Sequence, residues 1–186
     1  MAAPPETSIK DLSGEWVMNK TLSDDTDSIL ALQGIGWITR KAIAYATVTL
    51  HTKQYTDDVG HTHIDIEQTA TGGIKGTSEL RELIWEFKEH EDHIFGKLKG
   101  RSRWLNIDAV EDDFLKDGWL EGEEEKGGPA GEVHVESYVE NNEKGWTADQ
   151  IWGFAIVDGK RYYVRRIIVK KGDKILKARL VYDRKK

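Results

Sequence analysis

The chain has 186 residues, with 33 acidic and 27 basic side chains, a formal charge of −6, seven tryptophans and no cysteine. This length fits one domain, which can bury roughly 70% of its unfolded surface without a metal or disulfide. The lack of cysteine excludes disulfides, thiolate zinc sites, iron–sulfur clusters and cysteine nucleophiles. The net negative charge argues against general nucleic-acid binding, because a phosphate backbone requires a basic face.

The N-terminus carries neither a basic stretch nor an apolar core, so residues 1–8 are interpreted as a short flexible leader and not as a secretory signal. No run of 18 apolar residues occurs, and we expect no membrane insertion. We therefore expect residues 9–186 to form a single domain with a cytoplasmic location.

The first strand candidate, residues 12–20, precedes two short helical segments. The cluster Ser23, Asp24 and Asp25 provides N-capping side chains for the first helix, and residues 34–36, Gly-Ile-Gly, separate it from a second helix that ends at Tyr45. The stretch therefore predicts a helix–turn–helix between the first and second strands.

Beyond residue 46 the chain alternates between apolar and polar residues, as β-strands do. The predicted strands are 47–55, 61–71, 79–89, 93–107, 119–123, 131–140, 146–157, 161–171 and 174–182. Residues 72–77, Gly-Gly-Ile-Lys-Gly-Thr, are predicted to form a wide gap or bulge between strands, and residues 107–115 a brief helix or turn. Strands of this length joined by short turns favour an antiparallel barrel, whose interior can hold one small ligand.

Three short motifs resemble those of a known family. Residues 12–16, Leu-Ser-Gly-Glu-Trp, resemble the G-x-W signature of the calycins, the superfamily of lipocalins and fatty-acid-binding proteins. Residues 34–41 resemble the G-x-G-x-x-x-R-K turn and second helix of intracellular fatty-acid-binding proteins, and residues 178–183 are similar to their closing R-x-Y strand. The resemblance implies an all-β fold: a single antiparallel up-and-down barrel of about ten strands, or eight, with a helical lid and a hydrophobic ligand inside.

The resemblance also assigns roles to residues at the barrel bottom. It implies that Gly14 and Trp16 close this end, with Arg179 as the arginine that packs against Trp16. Tyr182 is the tyrosine of the closing strand and is expected to face inward. Its usual arginine neighbour is replaced by Leu180.

The predicted ligand-binding residues come from strand alternation and from the lid. Arg165 or Arg166 is the substitute for the missing anchor arginine, one of the pair must face each way, and we select Arg166. The predicted set is Tyr182, Arg166, Gln150, Trp152, Tyr163 and, on the lid, Trp37. The interior of a barrel is both its hydrophobic core and its ligand pocket. These residues are therefore expected to face inward whether they pack in the core or contact a ligand.

Other sites carry less support. His51, His61 and His63 could bind zinc if they shared a face, but exposed polar residues beside a turn explain them better. No metal or cofactor is therefore predicted. The sequence shows no Ser-His-Asp pattern, nucleophile elbow or phosphate loop, so no catalytic residue is assigned.

Three functions stay open. The main hypothesis is a non-enzymatic binder or carrier of a hydrophobic small molecule. The second is an isomerase or cyclase acting on an apolar metabolite, suggested by polar interior candidates where the fatty-acid anchors are lost. The third is a protein-interaction module that uses the acidic segment 108–143, with a net charge of −11, and the basic segment 160–186, with a net charge of +10.

Overall fold

The computed structural model describes residues 1–71 and 74–185. Within these residues, ten strands form one antiparallel sheet in the order β4-β3-β2-β1-β10-β9-β8-β7-β6-β5. The strands are β1 (Gly14–Met18), β2 (Val48–Thr56), β3 (Thr62–Ala70), β4 (Ile74–Glu82), β5 (Lys88–Asp92), β6 (Gly96–Leu105), β7 (His134–Asn141), β8 (Trp146–Val157), β9 (Lys160–Lys171) and β10 (Lys174–Arg184). Of the gap or bulge predicted at residues 72–77, residues 72–73 lie outside the described residues, and residues 74–77 begin β4, where the register with β3 shifts between Glu67 and Thr69.

The sheet curls into a nearly closed barrel. Apart from β4 and β5, strands that follow each other in sequence pair as neighbours. Strand β1 also pairs with β10, along the stretch of β10 that contains Tyr182 and Arg184. The remaining seam lies between β4 and the β5–β6 hairpin, where Trp85 N–H bonds to the carbonyl of Ser102 at 2.8 Å. The predicted all-β antiparallel barrel is confirmed, with ten strands and not eight.

Two helices lie between β1 and β2, as predicted: α1 (Asp27–Leu32) and α2 (Trp37–Tyr45). The chain reverses between them at Gly34, whose φ of +82° strongly favours glycine. Helix α1 closes what we call the upper end of the barrel, since Ile29 packs on Trp146 and Val169. Helix α2 buries none of its residues. Among the described residues, no helix has the length and apolar character to cross a membrane.

The lower end of the barrel is closed by the start of the chain. Ile9 and Leu12 are fully buried beneath Trp16, whose indole N–H bonds to the Leu12 carbonyl at 2.9 Å. Residues 1–8, expected to be a flexible leader, run along the barrel: the Met1 amino group lies 2.8 Å from Asp183, and Ala3 is buried.

A long excursion, residues 106–133, connects β6 to β7 and covers the outside of the barrel. It contains the helix α3 (Asp113–Lys116) and two 3₁₀ turns, Ile107–Ala109 and Glu123–Glu125. Its Leu115 packs against the outward-facing Ile151 and Ile168. The predicted strand at 119–123 is wrong because this stretch belongs to the excursion.

The predicted strand at 79–89 is also wrong, because the structure divides this stretch between two strands. It covers the end of β4 and the start of β5, with a break where Trp85 adopts a φ of +61°. A residue with positive φ cannot continue a strand, so the chain leaves β4 here and crosses the seam.

Candidate functional site

The barrel interior is packed in its lower half and open in its upper half. Four rings fill the lower half, with Trp16 and Tyr163 centred 5.1 Å apart and Tyr163 and Tyr182 centred 5.4 Å apart; Phe154 completes the set. Above them lies a cavity of about 490 Å³. This volume falls within the roughly 300–1,000 Å³ that small-molecule sites occupy.

The cavity wall combines apolar and polar side chains. The apolar part consists of Phe95, Leu98, Val139, Trp146 and Ala148. The polar part consists of Gln33, Thr77, Glu79, Arg81, Ser102 and Gln150. The cavity continues across the seam to the exposed Lys88 and His90, so it opens to solvent between β4 and β5.

A cluster of charged side chains forms the polar part of the wall. Glu79 accepts hydrogen bonds from Arg81 Nη2 at 2.9 Å and from Gln68 Nε2 at 2.8 Å. Its Oε2 also lies 3.7 Å from Arg165 Nη1. One carboxylate therefore faces two guanidinium groups, and the cluster has one more positive charge than negative charge.

The buried setting determines the ionisation of this cluster. Burial by itself raises the pKa of Glu79, but Arg81 and Arg165 outweigh it and hold the pKa below its usual value. Burial also acts to lower the pKa of Arg165, yet the tyrosines and Glu79 around it leave that pKa raised. Glu79 and Arg165 are thus both charged at neutral pH.

Both guanidinium groups of this cluster have N–H donors that make no good hydrogen bond. Arg165 donates from Nε to the Tyr163 hydroxyl at 2.9 Å, but its Nη2 has no hydrogen-bond partner among the described residues. Arg81 Nη1 reaches only Ser102 Oγ, at a long 3.5 Å. Because an unpaired buried donor is costly, this wall is suited to a ligand that brings an oxygen acceptor.

The ring of Trp152 packs against both guanidinium groups of the cluster. Its ring centre lies 3.9 Å from the Arg165 guanidinium carbon and 5.2 Å from that of Arg81. Its indole N–H donates to Gln150 Oε1 at 3.1 Å, so the amide NH₂ of Gln150 is left as a further donor on the cavity wall.

Comparison with known proteins identifies the family. No family model matches the chain. It is 36% identical over 184 residues to the pericyclase pydY of Acremonium sp, covering 98% of this chain and 96% of that protein. This chain belongs to the pericyclase family. A second member, the probable pericyclase scpY of Mollisia scopiformis, is 32% identical over 186 residues, covering 98% of this chain and 94% of scpY. The expectation of a non-enzymatic protein is wrong, because these relatives are named as enzymes.

Solved structures confirm the calycin resemblance at the level of fold. A Schistosoma mansoni fatty-acid-binding protein in complex with arachidonic acid superposes with a TM-score of 0.55 at 13% identity, covering 94% of this chain and 96% of that one. The Caenorhabditis elegans lipid binding protein 8 gives 0.55 at 14% identity, covering 100% and 99%. At such identities the likeness shows the fold alone.

The structure places the predicted ligand-binding residues in three different environments. Gln150 lines the cavity. Trp152, Tyr163 and Tyr182 face the interior but are buried in the packing next to and below the cavity and do not line it. Trp37 lies on the lid with 63% of its surface exposed.

The selection of Arg166 for the interior is corrected. Arg165 faces inward, and Arg166 lies on the outer face, donating to the Phe114 carbonyl at 3.1 Å and lying 3.7 Å from Asp117. Alternation along β9 makes the two arginines opposite, and the excursion provides Arg166 with partners outside the barrel.

The barrel closure is as predicted for Gly14 and Trp16 but not for Arg179. The arginine over the Trp16 ring is Arg184, at 4.9 Å from the ring centre. Gly14 has a φ of +123°, and a Cβ built there would lie 2.1 Å from Arg184 Nη1. Arg179 points outward and donates to the Leu22 carbonyl at 3.3 Å.

Sequence reasoning missed the polar wall contributed by β4. Thr77, Glu79 and Arg81 alternate along one face, and Glu79 and Arg81 pair with the inward-facing Ile66 and Ile64 of β3. Their alternation was a usable signal, because polar residues at inward positions of a barrel mark a polar lining. The charged character of these side chains instead indicated a surface strand.

The three histidines considered for zinc do not converge. His51 lies near the far end of β2, where its Nε2 is 2.9 Å from Thr69 Oγ1. His61 and His63 lie at the opposite end of the hairpin, beside Asp57 and Glu82.

Proposed function

We propose that this chain is a pericyclase that closes a ring in a conjugated, largely apolar substrate bound in the upper barrel cavity. Membership of the pericyclase family supports enzymatic activity. A pericyclic step passes through one cyclic transition state, in which bonds form and break together, so it requires no nucleophile or general base. The observation that carries the proposal for this site is the apolar cavity with the incompletely satisfied donor Arg81 Nη1 on its wall.

The first contribution of the site is to hold the substrate in a folded conformation. Leu98, Trp146 and Ala148 form an apolar wall against which a flexible polyene loses its extended conformers. Bringing reacting ends together in this way is worth up to about 7–11 kcal/mol in well-oriented intramolecular reactions.

The second contribution is polarisation of the substrate. Arg81 Nη1 and the amide NH₂ of Gln150 donate to a carbonyl or enolate oxygen conjugated with the reacting π-system. This lowers the energy of the acceptor orbital and stabilises charge that develops on oxygen in the transition state. Glu79 orients Arg81 through its Nε and Nη2 atoms and so leaves Nη1 for the substrate.

The test is a cyclisation assay on the substrate that pydY converts. The purified chain should produce a cyclised isomer of unchanged mass faster than buffer alone, and the isomer should be a single stereoisomer by chiral chromatography. Arg81→Met should slow this reaction, and Arg103→Met, on the outer face of β6 over Trp85, is the matched control.

A different result would support the carrier hypothesis instead. If the substrate quenches tryptophan fluorescence on binding but cyclises only at the uncatalysed rate, the barrel binds without catalysing and the proposal fails. The interaction-module hypothesis has little support from the fold, because the acidic and basic segments pair with each other, as in Arg161–Glu125 at 2.7 Å and Lys177–Asp112 at 3.1 Å.

A further inference from the structure

A cluster of metal-ligating side chains lies at the seam, outside the barrel interior. Asp57 comes from the β2–β3 turn, His63 from β3 and Glu82 from the end of β4. Each offers one donor atom, and the three atoms all lie within 4.8 Å of one another. His63 and Glu82 are paired residues on adjacent strands, so the backbone itself places them side by side.

The donor atoms are held in position by the surrounding structure. Asp57 Oδ1 accepts hydrogen bonds from the backbone N–H groups of Val59 and His61, at 3.0 and 2.9 Å, which leaves Oδ2 directed at His63 Nε2, 2.8 Å away. The His63 ring stacks on Tyr55 with centres 4.9 Å apart and planes 6° apart. Two of the three ligands are therefore oriented without a metal.

The carboxylates carry the charge that a metal site requires. Asp57 and Glu82 each provide one carboxylate, and Lys88 Nζ bonds to Glu82 Oε2. The side chain of Lys88 is 53% exposed, so its ammonium group can move into solvent when a cation takes its place.

We propose that Asp57, His63 and Glu82 bind a divalent transition-metal ion of the zinc type, with a water molecule as the fourth ligand. His61 Nδ1 lies 2.7 Å from Glu82 Oε1 and helps to hold that carboxylate in place. Imidazole and carboxylate donors suit zinc better than magnesium or calcium, which prefer oxygen alone. Zinc–ligand bonds of about 2.0–2.2 Å place tetrahedral donors about 3.4 Å apart, so small side-chain rotations complete the site.

The consequence of binding is mechanical. The metal ties the β2–β3 turn to the end of β4, the strand at the open seam that also carries Arg81. The site borders the open side of the proposed catalytic cavity, which His63 and Glu82 also line, but its test does not depend on turnover.

The experiment uses the full-length, tag-free chain stripped of metal with a chelator and then titrated with zinc sulfate in a calorimeter. We expect one zinc ion per chain. Cobalt(II) as a second probe should give the visible absorption of a four-coordinate site.

Two ligand variants and one control decide the outcome. His63→Ala and Asp57→Asn should each weaken zinc binding by at least about tenfold, whereas His51→Ala should bind as the parent does. Circular dichroism without metal shows whether each variant folds, and Glu82→Gln replaces a variant that does not. The proposal is overturned if zinc fails to bind, or if the His51 variant loses as much affinity as the ligand variants.

Discussion

Replacing Glu79 with glutamine tests the charged wall of the cavity. The change keeps the size of the side chain and removes its charge. In the native protein, Glu79 Oε2 lies 2.9 Å from Arg81 Nη2 and 3.7 Å from Arg165 Nη1. Both guanidinium groups lose their only carboxylate in this cluster. Breaking a buried ion pair costs about 3–5 kcal/mol, so we expect the free energy of unfolding to fall by about that amount at pH 7.

The pH dependence provides a second check on the same change. The pKa of Glu79 in the folded protein lies below its unfolded value of 4.5. Its contribution to stability is therefore complete above about pH 5 and is lost as the pH falls through the folded pKa. The difference between parent and Glu79→Gln should stay constant from pH 7 to about pH 5 and shrink below that.

Urea unfolding followed by tryptophan fluorescence measures both effects. Glu67→Gln is the control, because Glu67 is exposed on the neighbouring strand β3. The reasoning is refuted if Glu79→Gln loses no more stability at pH 7 than Glu67→Gln, or if its deficit persists unchanged below pH 4. In the cyclisation assay, Glu79→Gln should lower kcat more than it raises KM, because it misorients Arg81 while leaving the apolar wall intact.

Three further predictions follow from the same structure. Arg81→Met should reduce kcat by about 10²–10³-fold in the cyclisation assay, as loss of a preorganised donor does, and Arg103→Met should not. Burial raises the pKa of Asp149 from 3.8 to about 6, so its ionisation costs stability that is lost between these two pH values; Asp149→Asn should stabilise the protein at pH 7 by up to about 3 kcal/mol in urea unfolding and have almost no effect at about pH 3. Gly14→Ala should cost at least about 1–3 kcal/mol in thermal unfolding from backbone strain alone, whereas Gly36→Ala, with open space around it, should be neutral.

Strand alternation predicted one face of β8 to β10 well. Gln150, Trp152, Tyr163 and Tyr182 all point inward, as their spacing indicates. Alternation also places Arg165 on the same face as Tyr163, so the predicted set, which combined Tyr163 with Arg166, put residues of opposite faces together. The choice was obscured because both faces of β9 are apolar: the inner face packs in the barrel and the outer face packs under the excursion.

The cavity and its chemistry were less accessible to prediction. Glu79 and Arg81 resemble surface residues in sequence, and their role appears only when β8 and β9 bring Trp152 and Arg165 next to them in the barrel interior. The same limit affected the zinc hypothesis. Spacing put His61 and His63 on one face, but Asp57 and Glu82 join them only through the turn and the β3–β4 register.

The sequence by itself predicted the antiparallel β-barrel and the two helices between the first and second strands, because these depend on local periodicity and turn chemistry. The tertiary structure decided which half of the barrel stays open, which arginine is inside and which acid balances it. Those features arise from contacts between strands far apart in the chain, and the free energy of a buried charge depends on the neighbours that surround it, which local sequence does not specify.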